Sequence, residues 1–175
     1  FIHTFLHFHA SLVFIAMPFG EKERNGQLIN FDEVYKQGIK PVGERSQVDL
    51  IRADEERSGG FIHEAMFERL LLAEIVIADL TMANPNVFYE TGYAHALGKN
   101  VILLTKESKD IPFDLKHHPH IIYNDKITSL KKDLKKRLNY YINNPGESNS
   151  NIEFPLEFFY SGGKLCQNES SEINC

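Results

Sequence analysis

The sequence has little cysteine, no excess of positive charge and no apolar run of membrane-spanning length. Each absence removes a class of function. Cys166 and Cys175 are the only cysteines among 175 residues, and both fall in a polar C-terminal stretch. A disulfide framework or a cysteine zinc site needs more of them, placed within the fold. The core therefore suits a reducing, cytoplasmic setting. The net charge of −5 argues against a nucleic-acid partner held mainly through phosphates, because such sites need clustered Lys and Arg. The one basic run, "KKDLKKR" at 131–137, reads as the solvated outer face of a helix. Residues 1–19 are apolar but are interrupted by His3, His7 and His9 and carry no basic segment. Neither a signal peptide nor a membrane span is expected from them. There is no internal repeat.

What remains is ordinary soluble composition, 42% hydrophobic and 25% charged, in a length that suits one domain with a sizeable core. The first methionine, Met17, falls inside the expected first strand, which points to a fragment. Residues 1–10 are set aside as a leader without an assigned role, and 11–145 as the folded domain. Residues 146–175 are read as a polar tail or linker, with disorder as one of its readings.

Within 11–145, strand and helix patterns alternate. "SLVFIAMPFG" (11–20) is a buried strand closed by a tight loop. "FDEVYKQGIK" (31–40) puts Phe31, Val34, Tyr35 and Ile39 on one helical face, and Pro41 should bend or end that helix near Lys40. "VDLIRAD" (48–54) is a short strand before the charged loop "EERSGG". Ile62, Met66 and Leu70 mark the next helix by their spacing. "IVIADL" (75–80) and "NVILLTK" (100–106) read as strands buried on both faces. Between them Asn84 is a good N-cap and Pro85 a good first helical residue. "HIIYND" (120–125) is a weaker strand, and the final helix, 127–142, buries Ile127, Leu130, Leu134, Leu138 and Tyr141. The alternation predicts a flavodoxin- or Rossmann-like α/β three-layer sandwich, with a five-stranded parallel sheet in the order 2-1-3-4-5.

Such a sheet binds ligands beyond the carboxyl ends of its strands, where the strand order reverses. Pro18, Phe19 and Gly20 follow the first strand there, and Asp79 to Asn86 follow the third. Thr105 and Lys106 follow the fourth. Arg52, Asp54, Gly60 and His63 border the crevice from the loop after the second strand. Gly59-Gly60 leads into a helix N-terminus, where backbone amides favour an anion. Glu90 shares a helical face with Val87, Ala94 and Leu97, so its carboxylate sits on a half-buried stripe where desolvation raises its pKa. On periodicity alone it reads more readily as a carboxylate near a helix N-terminus, worth roughly 0.3–1 kcal/mol through the macrodipole. Asp79 on the same grounds can be a turn cap. Two acids converging on one crevice would also suit glycosidic chemistry, with Phe19, Phe88 and Tyr89 available to stack on a base. "HHPH" (117–120) lies on a proline-broken loop without the rigid spacing that metal ligands need, so no metal is expected.

"ADLTMANPNVFYETGYAHALGK" (78–99) resembles the signature of the nucleoside 2-deoxyribosyltransferase-like superfamily, which is related in fold to TIR and SLOG domains. The resemblance implies that Glu90, in "VFYETGYA", is the nucleophile that attacks an anomeric carbon. It implies that Asp79 binds the sugar and that "AMPFG" contacts substrate. With "IRADEERSGGFIH" (51–63) the chain resembles, over residues 13–142, a bacterial branch and a region N-terminal to the kinase domain of apoptosis-signal-regulating kinases. That branch implies either a nucleotide sensor or NAD-cleaving effector, or a regulatory partner-binding module. Asn84-Pro85-Asn86 replaces the glycine-rich turn of the transferases, a departure that bears on the deoxyribosyl acceptor chemistry. The expectation is an N-glycosidic-bond enzyme with a small nucleoside, nucleotide or NAD as substrate and no cofactor. Arg52, His63 and the Gly59-Gly60 amides would hold phosphate. No nucleic-acid or membrane partner is expected, and a homo-oligomer or a fused signalling domain is left open. The alternative is a non-catalytic nucleotide-sensing or protein-interaction module.

Overall fold

The computed structural model describes residues 10–52, 62–145, 158–161 and 164–167. Along the chain come β1 (Leu12–Ala16), β2 (Glu21–Arg24), β3 (Gln27–Asn30), helix α1 over 31–45, and β4 (Asp49–Arg52). Then follow α2 (Ile62–Leu72), β5 (Ile75–Asp79), α3 (Pro85–Ala96), β6 (Asn100–Thr105), β7 (His120–Ile122) and α4 (Ile127–Asn143). A last pair of strands, β8 (Phe158–Ser161) and β9 (Lys164–Gln167), forms an antiparallel hairpin in the stretch the sequence left without a period. The expected leader falls almost wholly outside the described residues, as do 146–157.

The central sheet is five-stranded in the order β4-β1-β5-β6-β7, and every described pairing within it is parallel. In sheet numbering this is the predicted 2-1-3-4-5. Alternation along the strands builds the layers. Val13 and Ile15 of β1, Ile75 and Ile77 of β5, and Ile102 and Leu104 of β6 face α1 and α4. Phe14 and Ala16, Val76 and Ala78, and Val101 and Leu103 face α2 and α3, where they meet Leu70, Val87 and Ala94. Because both faces are covered, the strands read as unbroken apolar runs. Leu130, Leu134 and Leu138 bury one stripe of α4 against the first cluster, each worth about 1.5–3 kcal/mol in area removed from water. Ile127 is only partly buried beside them.

Two local features differ from the sequence reading. Residues 21–30 form an antiparallel hairpin, β2–β3, where only a tight loop is expected after Gly20. Its turn is Asn25-Gly26, with φ of 55° and 75°, the dipeptide that best supports a two-residue hairpin turn. β2 went unread because it is wholly charged, and β3 because its four residues, Gln-Leu-Ile-Asn, bury only Ile29. Second, Pro41 does not end α1. The helix starts at Phe31–Glu33, widens into a π segment at Val34–Ile39 and continues through Lys40–Arg45. The Lys40 amide reaches back to the Tyr35 carbonyl, so the turn just before the proline is already wide. Pro41 then sits in the first turn of the closing α segment, where a missing N–H costs least.

Helix α1 lies close to its neighbours. A Cβ built on Gly43 would stand 2.6–2.8 Å from three side-chain atoms of Leu50, so the whole isobutyl group would have to move. Gly43→Ala should therefore lower stability by roughly 1–2 kcal/mol despite the better helix propensity of alanine. In a Leu50→Ala background the same change should be neutral or stabilising. Urea midpoints of the two single variants and the double variant check this.

Candidate active site

The chain runs from β1 outward to β4 and then returns to the other side of β1 as β5. In open parallel sheets such a reversal marks the place where ligands bind, here beyond the carboxyl ends of β1 and β5. Register places its parts. Ile15 is level with Arg52 and Ala16 with Ala78, so Met17 and Pro18 leave the sheet beside Asp79.

On the β4 side, the Arg52 side chain is buried and donates to Asp32 Oδ1 at 2.5 Å. Its guanidinium lies 4.8 Å from the Tyr35 ring centroid and 5.4 Å from that of Phe19. Asp32 also accepts from the Gly20 amide at 3.4 Å, where Gly20 has φ +63°. The Arg52 guanidinium holds the Asp32 carboxyl below the usual carboxylate range. The structure thus brings Phe19, Gly20 and Arg52 together. Pro18 is buried behind them.

On the β5 side, Asp79 is fully buried. Its Oδ1 accepts from the Thr81 amide at 3.0 Å and the Thr81 hydroxyl at 2.5 Å, and its Oδ2 accepts from the Tyr123 hydroxyl at 3.1 Å. Thr81 Oγ1 in turn accepts from the Lys106 amide at 2.8 Å. Burial pushes the Asp79 carboxyl up against the lowering effect of these donors. The next two residues, Met82 and Ala83, have φ of 66° and 53°, a conformation that costs non-glycine residues of order 1 kcal/mol or more each. The turn is held from the far side by Asp110, whose Oδ2 accepts from the Met82 amide at 2.9 Å while its Oδ1 takes the Arg24 guanidinium.

From this turn α3 begins as the sequence predicts. The Asn84 side chain caps it by accepting from the Asn86 and Val87 amides at 2.9 and 3.4 Å, and Pro85 is the first helical residue. Val87 and Ala94 are buried on the sheet-facing stripe with Glu90 among them. Glu90 is 8% exposed and has no hydrogen-bond or ion-pair partner among the described residues. Burial alone raises its pKa to about 7. The aromatic neighbours divide. Phe88 packs against the second core cluster. Tyr89 is 63% exposed and meets Phe67 of α2 edge-on at 6.1 Å.

Of the predicted site residues, Asp54 and Gly60 lie outside the described residues. His63 has its backbone in α2, but its side chain is not described. Among the described residues, no cluster of three or more His, Cys, Asp or Glu side chains could hold a metal ion. His118 instead stacks on His95 at 4.7 Å. Also among the described residues, no helix is long and apolar enough to cross a membrane. Sequence reasoning missed Asp32, Tyr123, Asp110 and Arg24. Tyr123 was the most accessible of these, since it follows the last strand and so reaches the same rim as Asp79.

An open, parallel five-stranded sheet covered by helices on both faces defines the fold class, and sequence comparison narrows it. The family model for nucleoside 2-deoxyribosyltransferase matches residues 8–157, and the chain belongs to that family. A comparison with curated proteins finds no match. Among solved structures, a 2-deoxyribosyltransferase from Bacillus psychrosaccharolyticus is 18% identical with a TM-score of 0.53, covering 71% of this chain and 90% of that one. The 2-deoxyribosyltransferase from Leishmania mexicana is 17% identical with a TM-score of 0.51, covering 77% and 98%. The TIR domain of the Toll-related receptor TRR-2 from Hydra magnipapillata is 13% identical with a TM-score of 0.56, covering 75% and 98%. At these identities the likeness is one of fold.

The raised Glu90 pKa makes a stability prediction. Below pH about 4.5 the carboxyl is protonated in both folded and unfolded chains. As pH rises, the unfolded chain ionises first, and stability is lost until the folded group ionises near pH 7. Glu90→Gln removes this loss. The variant should match wild type near pH 4 and exceed it by on the order of 3 kcal/mol at pH 8, as read from denaturation curves at the two pH values.

Proposed function

We propose that the chain is an N-glycosidic-bond enzyme acting on a nucleoside, a nucleotide or an NAD-like substrate, with Glu90 as the group that meets the anomeric carbon. The observation that carries this reading is a carboxyl group buried on the sheet-facing stripe of α3 with no cation and no hydrogen-bond donor of the described chain beside it. A structural carboxylate in such a place is normally compensated. An uncompensated one suits chemistry in which positive charge develops on the substrate.

The ionised Glu90 carboxylate attacks the anomeric carbon as the bond to the base breaks, and the base leaves with the bonding pair and takes a proton. A glycosyl ester on Glu90 then yields to water or to a second acceptor, which restores the carboxylate. Short of full bond formation, the same carboxylate stabilises an oxocarbenium-like centre. Asp79 is the inherited candidate for the sugar hydroxyls. Its two oxygens are held by Thr81 and Tyr123, so contact with a sugar needs exchange of one of those hydrogen bonds. Arg52 could reach a phosphate only by sharing or leaving Asp32.

These engaged groups favour a second reading, a nucleotide-sensing or protein-interaction module that binds without turnover. It expects ligand-dependent stabilisation of about 2.7 kcal/mol at a hundredfold excess over Kd with no product formed.

Incubation with NAD and a panel of nucleosides and nucleotides, followed by chromatography of released base, separates the readings. The enzymatic reading expects release that Glu90→Gln slows by at least about 100-fold, in the range seen for removal of a catalytic group. It also expects kcat/KM to rise with pH through an inflection near 7, because only the ionised carboxylate is nucleophilic. Release that survives Glu90→Gln unchanged overturns the assignment, and stabilisation without release selects the module.

A further inference from the structure

The hairpin β2–β3 and the turn before α3 are far apart in sequence but share one buried side chain. Asp110, in the loop after β6, is 5% exposed. One of its oxygens takes the Arg24 guanidinium at the end of β2, and the other accepts from the Met82 amide. Met82 and Ala83 are the two consecutive positive-φ residues of that turn. Nothing in their side chains favours the conformation, since neither is Gly, Asn or Asp. The turn is therefore held from outside. Its known holds are Thr81 on Asp79, the Ala83 amide on the Leu80 carbonyl at 3.0 Å, and Met82 on Asp110. Lys106 and Tyr123 brace the turn through Thr81 and Asp79, but among the described residues Asp110 is the side chain from another loop that takes an amide of the positive-φ pair itself. Asn84 follows at once, and its cap sets where α3 begins and hence where Glu90 stands.

We propose that Asp110, with Arg24 fixing its orientation, is a positioning residue that holds the Met82–Ala83 turn left-handed and so keeps the α3 face carrying Glu90 against the sheet. This rests on the reading of Glu90 as the reacting group. The hairpin is then a functional part of the site, although it carries none of the proposed chemistry. A substrate that disturbs Arg24 would be felt at Glu90 through two hydrogen bonds and one turn.

The test uses the full chain and two readouts. The first is the titration of the Glu90 side-chain carbonyl carbon by NMR, which needs no activity. In wild type the midpoint is expected near 7. In Asp110→Ala it should fall toward the ordinary carboxylate value as the turn loosens and water reaches the group. Arg24→Gln, on the partly exposed hairpin, should move it the same way by less, and serves if Asp110→Ala does not fold. Adding Ala83→Gly to Asp110→Ala should restore the midpoint, because glycine adopts the positive φ without help. Gly43→Ala, destabilising but remote, should leave the midpoint in place, which separates positioning from general loss of stability. The second readout is steady-state base release, where Asp110→Ala should lower kcat by roughly 10-fold to 100-fold with KM held within about twofold.

A Glu90 midpoint unmoved in the folded Asp110 or Arg24 variants overturns the proposal, whatever the activity. A moved midpoint with unchanged kcat also overturns it. If the midpoint moves and is rescued while wild type releases no base from any substrate, the positioning stands and the glycosidic reading fails.

Discussion

A carboxylate sealed from water with no cation beside it must be satisfied by neutral donors, and Asp79 is. Thr81 supplies an amide and a hydroxyl, Tyr123 a phenol, and Thr81 is itself anchored by the Lys106 amide. Those partners come from beyond the carboxyl ends of β5, β6 and β7. One buried network therefore ties together the ends of three adjacent strands at the edge where a ligand would sit. Hydrogen bonds of this kind are strong in a low dielectric and costly to leave half made. The shape of the crevice floor depends on all of them being made together.

From that floor the site is built outward in two directions. Toward β4, Arg52 is held by Asp32 and sandwiched between Phe19 and Tyr35. Toward β6, Lys106 Nζ meets Asp125 Oδ1 at 2.7 Å and Arg24 meets Asp110. Each of these cations has a carboxylate of its own. Glu90 has none among the described residues. The charge pattern is that of a paired rim beside one buried acid, Glu90, that has neither a cation nor a hydrogen-bond donor among the described residues, and this is the ground on which the proposal places the chemistry on α3.

How much of this was legible in the sequence follows from what each residue depends on. The five strands follow from local features, apolar β-branched runs such as "IVIADL" and turn residues between them, whereas their order was expected from the flavodoxin-like rule for alternating strands and helices. Asn84-Pro85 gave the start of α3, because capping is decided within four residues. The Val87, Glu90, Ala94 face followed from helical period alone. The hairpin at 21–30 was signalled only by Asn25-Gly26, since β2 is charged and exposed and β3 sends only Ile29 into the core. The pairing of Arg52 with Asp32, and of Asp110 with Arg24 and Met82, joins residues 20 to 86 positions apart. No periodicity reports on such contacts. The enclosure of Asp79 was out of reach for the same reason, as Tyr123 arrives from 44 residues away.

Helix α1 offers a different kind of consequence. A π turn is what an α-helix becomes when one residue is added and the flanks keep their orientation. Val34–Ile39 is such a segment, with Phe31 buried before it and Val42 buried after it. The helix therefore carries one residue more than the alignment of its two ends requires, and Tyr35, which backs Arg52, lies within the widened turn. Length variation in this helix has a natural home there. A chain shortened by one residue in that segment could run as plain α-helix and still deliver Val42 and Gly43 to the sheet, while the aromatic face behind Arg52 would be lost.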